Sequence, residues 1–563
     1  MSIDIETYRL KAQEAIEYVF VKEYHNSLGI PMPIVKMLLL DDANYSTGQY
    51  YITIDKTWQI HLNFGKLPIS YHEFQNEVKV LTRHEIEHYM CCPFDVITHF
   101  RMLKRIRDVY YKHFSHFGIN IEYACGAISN QAADIIVDTK NYYRHSKETL
   151  KSEIDWIKIG ANISACPRHC KLMFLTKEAI WKEDLGINET DPEFLKIVHQ
   201  LADSFTKNGI EDKSSFLDKV EEYAEIFFKL YVEDQKNPQQ SSQQGSQQQS
   251  GQHGSQQQSG QWGVGRPKDG DEHGNAFVFA DPDKVKEAIE ALAEETSVEE
   301  FIDLLAIAGI IGMSDKQKGV LWFNVQSANI IPIVEFSNTG NKSSYTYPSV
   351  WRIGDPIEEL DLMLTYMTSP RLIPGMTTKK WEYVSNDDNG TESKQMDLLL
   401  VVDTSGSMGS AMKESANMHQ AVLASYGILS YFESTKSKVA FIGFSDKIDA
   451  YVDWTDKYDD VRERLLTNGH GGTKFPISRI KSTLDVKSRD LVTVLITDGD
   501  LGNINESVSY FRDYLNDDNK LYIFLLGDSK SLHSYEPLKN IGAKIYNANN
   551  ANEFCDMVLA DME

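Results

Sequence analysis

Two short segments of the chain combine residue types and spacings that suit metal ions. Positions 84–88 read HEIEH, and positions 403–407 read DTSGS. The first segment offers imidazole nitrogens, which zinc prefers, and the second offers carboxylate and hydroxyl oxygens, which magnesium prefers. The elements that surround each segment decide whether these side chains can converge on an ion.

The histidine spacing in the first segment predicts one zinc-binding face. On a helix, His84 and His88 are four residues apart, so both imidazoles lie on the same side and can reach one ion. Glu85 lies beside them, where it can polarise a water molecule bound to zinc and accept its proton. Because two histidines leave a zinc site incomplete, the sequence requires a third ligand from another part of the chain.

The best candidate for that ligand lies on a second predicted helix, where Asp134 and Asp138 are four residues apart. The pair resembles gluzincin-type peptidases, in which a downstream helix supplies a Glu ligand and an Asp four residues later hydrogen-bonds a zinc histidine. The resemblance implies that Asp134 is the third zinc ligand and that Asp138 orients one of the two histidines. His99 and Cys91 remain alternative ligands, as does a solvated acidic helix face without metal. Phe94 replaces the third histidine of metzincins, which excludes that branch.

Strand-like segments precede the predicted zinc helix at 74–90, and further helices follow it. The strands are predicted at 35–40, 50–54 and 59–63, the helices that follow at 96–113, 129–142 and 218–230, and one helix before the strands at 6–21. Strands followed by helices predict an α+β domain over residues 1–235. The resemblance to gluzincin-type peptidases implies that this domain is zincin-like. In zincin-like enzymes the strand before the zinc helix is an edge strand that pairs with an extended peptide, and 59–63 is expected to do the same.

From Gln395 onward, short apolar strands alternate with helices. Continuous apolar runs such as 398–402 predict burial on both faces and therefore a parallel sheet, here a doubly wound α/β (Rossmann-like) domain over residues 386–563. Asp403 and Asp498 each follow a predicted strand, at the sheet edge where ligand sites of such folds lie. A helix is expected to begin near Met408.

This segment resembles the von Willebrand factor A domain through the pattern Asp-Xaa-Ser-Xaa-Ser and two later positions. The resemblance implies that family's metal-ion-dependent adhesion site, whose five residues here are Asp403, Ser405, Ser407, Thr473 and Asp498. The three hydroxyl groups would contact Mg²⁺ directly, and the two carboxylates would hold it largely through water. An acidic side chain of a partner protein would complete the octahedron. The alternative is a strand–helix turn that binds no ion.

The chain of 563 residues is too long for one hydrophobic core, and its composition indicates where it divides. Residues 238–265 are almost entirely Gln, Ser and Gly, which predicts a flexible, disordered linker over 236–282. Residues 283–385 begin with two predicted helices and continue with short strand-like pieces, so they are interpreted as a helical, mixed connecting region. The sequence therefore predicts a multidomain protein.

The order of a metallopeptidase-like domain, a polar linker and an A domain resembles a family of bacterial and phage-type proteins described in those terms. Its members commonly accompany AAA+ ATPases of the MoxR type. The resemblance implies a zinc-dependent peptidase that acts on a protein or peptide substrate and is coupled to a Mg²⁺-dependent protein-binding domain. The alternative is a non-enzymatic adaptor for such an ATPase, with a structural or degenerate zinc site. A chelatase-like subunit is a third interpretation, for which the sequence offers no porphyrin pocket.

Charge and composition exclude several other classes of partner. The formal net charge of −25 at pH 7 disfavours binding to nucleic acid and to anionic membranes. No apolar run is long enough to cross a bilayer, and the acidic N-terminus does not resemble a signal peptide. The six cysteines form no regular disulfide framework. We therefore expect a cytoplasmic protein without a nucleic-acid or membrane partner.

Overall fold

The computed structural model describes most of the two predicted domains. The described residues are 5–28, 32, 34–38, 50–54, 59–64, 70–160, 163–236, 282–310, 313–328, 345–351, 379–384, 396–487, 490–499, 501, 503–517, 519–527 and 533–548. The chain forms two compact units, Met1–Ser314 and Asp315–Glu563. Residues 237–281, which make up most of the predicted linker, lie outside the described part.

The first unit is mainly helical, with a small sheet. Its helices are α1 (Ile5–Glu17), α2 (Tyr71–Met90), α3 (Val96–Val109), α4 (Ile121–Gly160), α5 (Arg168–Trp181), α6 (Pro192–Thr206), α7 (Phe216–Lys236), α8 (Pro282–Glu295) and α9 (Val298–Ile307). Its strands are β1 (Ile34–Leu38), β2 (Tyr50–Ile54) and β3 (Gln59–Phe64). These strands and helices agree with the predicted order of one helix, then the strands, then further helices.

Strand β3 lies in the middle of the small sheet. It pairs in parallel with β1, from Ile34 opposite Gln59, and antiparallel with β2, from Tyr50 opposite Phe64. The expectation that 59–63 is an edge strand ready to hold a peptide is therefore wrong. Both rows of backbone hydrogen-bonding groups on β3 are already used by its neighbours.

Helix α2, which carries the HEIEH segment, begins earlier than the apolar pattern predicted. Ser70 and Glu73 form a capping box, in which the Ser70 side chain accepts from the Glu73 backbone N–H and the Glu73 side chain accepts from the Ser70 backbone N–H. Phe74, Val78 and Ile86 are fully buried on one side of the helix. Helix α2 packs against α1 and α4, and its position against α4 is what brings the two predicted metal-binding helices together.

The chain returns to the first unit after residues 237–281. Helices α8 and α9 pack against α3, and α9 also packs against α4. Leu292, Phe301 and Leu304 are fully buried. Arg107 adds an ion pair to Asp303 at 2.7 Å. Residues 237–281 therefore join two elements of the same unit, and the range 283–385 contributes to both units.

The second unit is built on a six-stranded sheet with flanking helices. Its elements are α10 (Asp315–Ala328), β4 (Tyr345–Val350), β5 (Lys379–Val384), β6 (Asp397–Asp403), α11 (Asn417–Ser434), β7 (Val439–Phe444), β8 (Ile448–Thr455), α12 (Tyr458–Leu465), α13 (Ile477–Leu484), β9 (Leu491–Thr497), α14 (Val508–Asn516), β10 (Lys520–Leu526), α15 (Glu536–Lys539) and β11 (Lys544–Ala548). Strands β4 and β5 form a separate antiparallel pair.

The large sheet has the strand order β11-β10-β9-β6-β7-β8. All of its neighbours are parallel except β7 and β8, which are antiparallel. The prediction of an α/β domain with a parallel sheet is confirmed in part, because the sheet is parallel except at the edge strand β8. The edge strand β8 was not predicted, because its half-exposed, Asp-containing sequence lacks the continuous apolar run of the buried strands.

The prediction that a helix begins near Met408 is wrong. A single 3₁₀ turn covers Gly406–Met408, and the helix α11 begins only at Asn417. Gly409 has a φ of 73° and a ψ of −150°, a conformation that ends the turn and that residues with a Cβ rarely adopt. Residues 410–416 therefore form an irregular loop beside the predicted magnesium site. In the described ranges of both units, no helix is long and apolar enough to cross a membrane.

Candidate metal centres

Helices α2 and α4 bring three possible zinc ligands together. The Nε2 atoms of His84 and His88 are 3.0 Å apart. The Oδ1 atom of Asp134 lies 3.3 Å from the His88 Nε2 and 3.6 Å from the His84 Nε2. We searched the described residues for His, Cys, Asp and Glu side chains that lie close enough together to hold one ion. His84, His88 and Asp134 form such a group.

The three distances match the spacing of ligands around a tetrahedral ion. Two donors that each lie about 2.05 Å from tetrahedral zinc are roughly 3.3 Å from one another. The observed separations, from 3.0 to 3.6 Å, lie on either side of that value. Three protein ligands leave one tetrahedral position for water or substrate, the pattern of catalytic rather than structural zinc sites.

Hydrogen bonds fix the orientation of both imidazoles. The Nδ1 of His84 lies 2.7 Å from the Oδ1 of Asp138. The Nδ1 of His88 lies 2.8 Å from the backbone carbonyl oxygen of Cys92. Each acceptor selects the tautomer with a proton on Nδ1, so that each Nε2 presents its lone pair to the other and to Asp134. The predicted orienting role of Asp138 therefore falls on His84, and a backbone carbonyl that the sequence did not reveal orients His88.

The carboxylate of Asp134 has one oxygen without a hydrogen bond. Its Oδ2 accepts from the Asn130 side chain at 2.9 Å. Its Oδ1 is buried and accepts no hydrogen bond from the part of the chain that the structure describes. A buried carboxylate oxygen that faces two imidazole lone pairs is electrostatically unfavourable unless a cation or a proton lies between them. The donor set therefore fits a zinc ion.

Burial and the neighbouring charges shift the pKa values of His84 and Glu85. Burial alone would lower the pKa of His84, but the charge of Asp138 and its hydrogen bond raise it to about 10. Without metal, a proton therefore competes for the imidazole lone pairs that zinc would use. Glu85 is half-buried, and burial raises the pKa of its carboxyl group.

The alternative ligands His99 and Cys91 do not belong to the compact group of three, as far as the described side chains extend. Both are largely buried. Burial raises the pKa of the Cys91 thiol to about 11, which disfavours the thiolate form that zinc requires.

Glu87, the second glutamate of the HEIEH segment, points away from the candidate zinc site and was missed by sequence reasoning. Its side chain is fully buried, with one oxygen 2.8 Å from the Lys140 ammonium nitrogen. The other oxygen accepts from Arg144 at 2.9 Å and from the Tyr24 hydroxyl at 3.0 Å. Glu87 therefore ties α2 to α4 and to the segment that follows α1, while Glu85 remains beside the histidines.

The second candidate centre lies where β6 and β9, which are adjacent and parallel, reach their carboxyl ends. Asp403 is fully buried. It accepts from the Ser405 backbone N–H at 2.8 Å and from the Thr497 hydroxyl at 2.6 Å. Burial raises the pKa of this carboxyl group, whereas the hydrogen bonds from Thr497 and Ser405 lower it. Because protein donors occupy both of its oxygens, Asp403 suits an ion held through water.

Hydroxyl groups and a second carboxylate lie beside Asp403. The hydroxyl oxygens of Ser405 and Ser407 are 3.2 Å apart, and Ser407 donates to Asp498 at 3.0 Å. The other oxygen of Asp498 accepts from the Asn417 amide at 2.9 Å. Four of the five predicted residues therefore lie in one cluster of hard oxygen atoms, the donor type that Mg²⁺ prefers.

Thr473, the fifth predicted residue, lies on a loop that is held against the same turn. The backbone carbonyl of Gly471 accepts from the Gly406 backbone N–H at 3.3 Å. Two residues earlier on this loop, a Cβ atom at Gly469 would come within 2.6 Å of the Thr404 carbonyl oxygen. Only glycine therefore allows the loop to approach the turn 403–407 this closely. Thr473 itself is half-buried.

Comparison with known proteins identifies no family. No protein-family model matches the chain, and no curated protein matches it. Solved structures that are similar to part of it include BatB, a conserved hypothetical protein from Bacteroides thetaiotaomicron, and the pilus adhesin SpaC from Lactobacillus rhamnosus GG in its open conformation. Each is 14% identical to this chain, covers 30% of it and has a TM-score of 0.25. The match spans 98% of the BatB chain and 30% of the SpaC chain. Similarity at this level supports no argument about activity.

Proposed function

We propose that the first unit is a zinc-dependent peptidase domain of zincin-like type, and that the second unit is a Mg²⁺-dependent protein-binding domain of von Willebrand A type. One observation carries the first half of this proposal. Two imidazole Nε2 atoms and a buried carboxylate oxygen, which accepts no hydrogen bond from any described residue, converge at distances that suit one tetrahedral ion. We further propose that the protein works with an AAA+ ATPase of the MoxR type and acts on a protein or peptide substrate.

The residues of the first unit have distinct roles in this proposal. His84, His88 and Asp134 hold the metal, while Asp138 keeps the Nδ1 proton of His84 in place. Zinc, when bound, supplies Lewis-acid chemistry that polarises a peptide carbonyl and lowers the pKa of water. Glu85 accepts a proton from the attacking water and later gives it to the leaving amine nitrogen. Its pKa, which burial raises, favours the uptake of that proton from water.

The first test is the zinc content of the purified protein. Wild type is expected to contain one zinc ion per chain, and His84→Ala and Asp134→Ala are expected to contain essentially none, because each removes a ligand. Asp155→Ala, which changes a carboxylate elsewhere on α4 that pairs with Lys151, is the matched control and should keep the ion. Elemental analysis after purification without chelators measures all four. Wild type without zinc, or Asp134→Ala with a full complement, would refute the assignment.

A second candidate function is a non-enzymatic adaptor, in which only the second unit does chemistry. The cluster of Asp403, Ser405, Ser407 and Asp498 favours it, because these oxygens gather at one sheet edge. Such an adaptor would use Mg²⁺ to capture an acidic side chain of the ATPase. This function would stand if the zinc test failed.

The adaptor function requires that the second unit bind Mg²⁺. Titration of the full chain with MgCl₂ alone, followed by calorimetry, is expected to show binding in wild type and none in Asp403→Ala. Asp513→Ala, at an exposed position of α14, should behave like wild type. Equal heats of binding in Asp403→Ala and wild type would contradict the magnesium assignment.

A further inference from the structure

A line of buried charged groups continues behind the candidate zinc site. Asp138, whose Oδ1 lies beside His84, receives a hydrogen bond on its other oxygen from the Lys177 ammonium group at 2.5 Å. Lys177 also donates to Glu153 at 2.9 Å. Asp138 and Glu153 belong to α4 and Lys177 belongs to α5, so the contact spans two helices.

The burial of this lysine is unusual. Lys177 is only 2% exposed, although lysine is almost never fully buried without charged partners. Removing an ammonium group from water costs several kcal/mol, which the two carboxylates offset. Apolar residues in place of all three charged groups would fill this space between α4 and α5 at lower cost. The sequence therefore maintains a charge here for a reason other than packing.

The geometry indicates what the charge does. A carboxylate bound on one oxygen only can rotate about its Cβ–Cγ bond and lose its alignment with an imidazole. Here Lys177 holds Oδ2 of Asp138 while Oδ1 faces the His84 Nδ1, so the plane of the carboxylate is fixed from both sides. The His84 ring is fixed in turn, with its Nε2 directed at Asp134. Metal ligands depend on such outer partners for their orientation.

We infer that Lys177 is a positioning residue for the zinc ligand His84, acting through the carboxylate of Asp138. The inference rests on the proposed zinc site. It adds a residue of α5, whereas the proposed ligands belong to α2 and α4. Lys177 touches neither metal nor substrate. Its effect is therefore on metal affinity, which it tunes by holding the ligand in the geometry that zinc requires.

A second buried lysine on α5 provides a matched comparison. Lys171 is 8% exposed and lies 2.8 Å from Glu189. The other oxygen of Glu189 accepts from the backbone N–H groups of Thr190 and Asp191, so this pair holds a loop and does not lead to a histidine. Lys171→Met removes the same type of buried ion pair from the same helix.

The test measures zinc affinity and stability separately. Zinc dissociation constants, from competition with a chelator, are determined for wild type, Lys177→Met, Lys171→Met, Glu153→Gln and the double variant Lys177→Met/Glu153→Gln. The double variant removes one positive and one negative charge, which avoids an excess of buried negative charge. Thermal unfolding of the zinc-free proteins reports the structural cost of each change.

Both variants that lack Lys177 are expected to bind zinc roughly 10- to 100-fold more weakly than wild type. Lys171→Met and Glu153→Gln should keep wild-type affinity, even where their melting temperatures fall. Wild-type affinity in the double variant would overturn the inference and leave the zinc site standing. Failure of both Lys177 variants to fold would also overturn it, because the role would then be structural. Absence of zinc from wild type would instead refute the proposed function.

Discussion

Replacing Glu85 with Gln is expected to abolish peptide hydrolysis while the zinc ion stays in place. Gln has nearly the same shape as Glu but cannot accept a proton from water, so the general-base contribution is lost, about 10²- to 10⁴-fold in rate. Zinc should remain because His84, His88 and Asp134 are unchanged. Hydrolysis of fluorescein-labelled casein, measured beside the zinc content of the same preparation, tests both parts.

A control variant separates loss of a catalytic group from loss of charge. Glu122→Gln removes a carboxylate from an exposed position of α4 and should leave casein hydrolysis unchanged. If Glu85→Gln cleaved casein at the wild-type rate, Glu85 would not be the proton-transfer residue. If it lost its zinc together with its activity, the change would act on metal binding instead.

Replacing Glu87 with Gln is expected to lower the stability of the fold strongly while zinc binding and hydrolysis remain. The change removes the negative charge that faces the buried ammonium group of Lys140 and the guanidinium group of Arg144. Breaking a buried ion pair from one side costs roughly 3–5 kcal/mol when the remaining charge has no other partner. We expect a loss near the lower end, because Lys140 keeps a second carboxylate, Glu211, at 3.2 Å and Arg144 is half-exposed. The zinc-binding side chains are untouched, so zinc stoichiometry and hydrolysis per folded molecule should persist.

Urea denaturation of the zinc-free protein, with Glu85→Gln and Glu122→Gln measured in parallel, checks this expectation. Glu85→Gln should lower the free energy of unfolding little, because burial already disfavours its charge. A Glu87→Gln variant as stable as wild type would show that the contacts of Glu87 with Lys140 and Arg144 contribute nothing. Glu85 and Glu87 would then differ in their role in hydrolysis but not in their contribution to the free energy of unfolding.

Local spacing predicted that His84 and His88 share one face of α2, whereas Asp134 and Asp138 of α4 were singled out by the resemblance to gluzincin-type peptidases. The separation of four residues between His84 and His88 put both imidazoles on one face, and the same separation put Asp138 behind the carboxylate of Asp134. The sequence left open which histidine Asp138 orients, because that depends on how the two helices cross. The structure assigns it to His84, and it also reveals the roles of Glu87 and Lys177, whose partners are distant in the sequence.

The errors have a common physical origin in contacts that local patterns do not encode. Strand β3 reads as any half-buried strand, and only its pairing on both sides excludes an edge position. The polar strand β8 takes part in the large sheet because β7 offers it a free side, a property of β7 and not of its own sequence. Gly409 and Ala416 lie so close that a Cβ atom at Gly409 would be 3.0 Å from the Ala416 Cβ, and α11 begins only after this loop, at Asn417.

Because the chain returns to the first unit at α8, residues 237–281 close a loop within that unit, and the length of this loop affects folding only through the cost of closing it. Residues 237–281 begin after Lys236 of α7 and end at Pro282 of α8, two points of one compact unit. For a segment as flexible as its Gln-, Ser- and Gly-rich composition predicts, the entropic cost of closing the loop grows only with the logarithm of its length. Losing one of the two copies of GSQQQSGQ, at 245–252 and 254–261, would change that cost by about 0.2 kcal/mol. Expansion or contraction of this repeat is therefore nearly neutral for folding, and the fold exerts little selection on the number of copies.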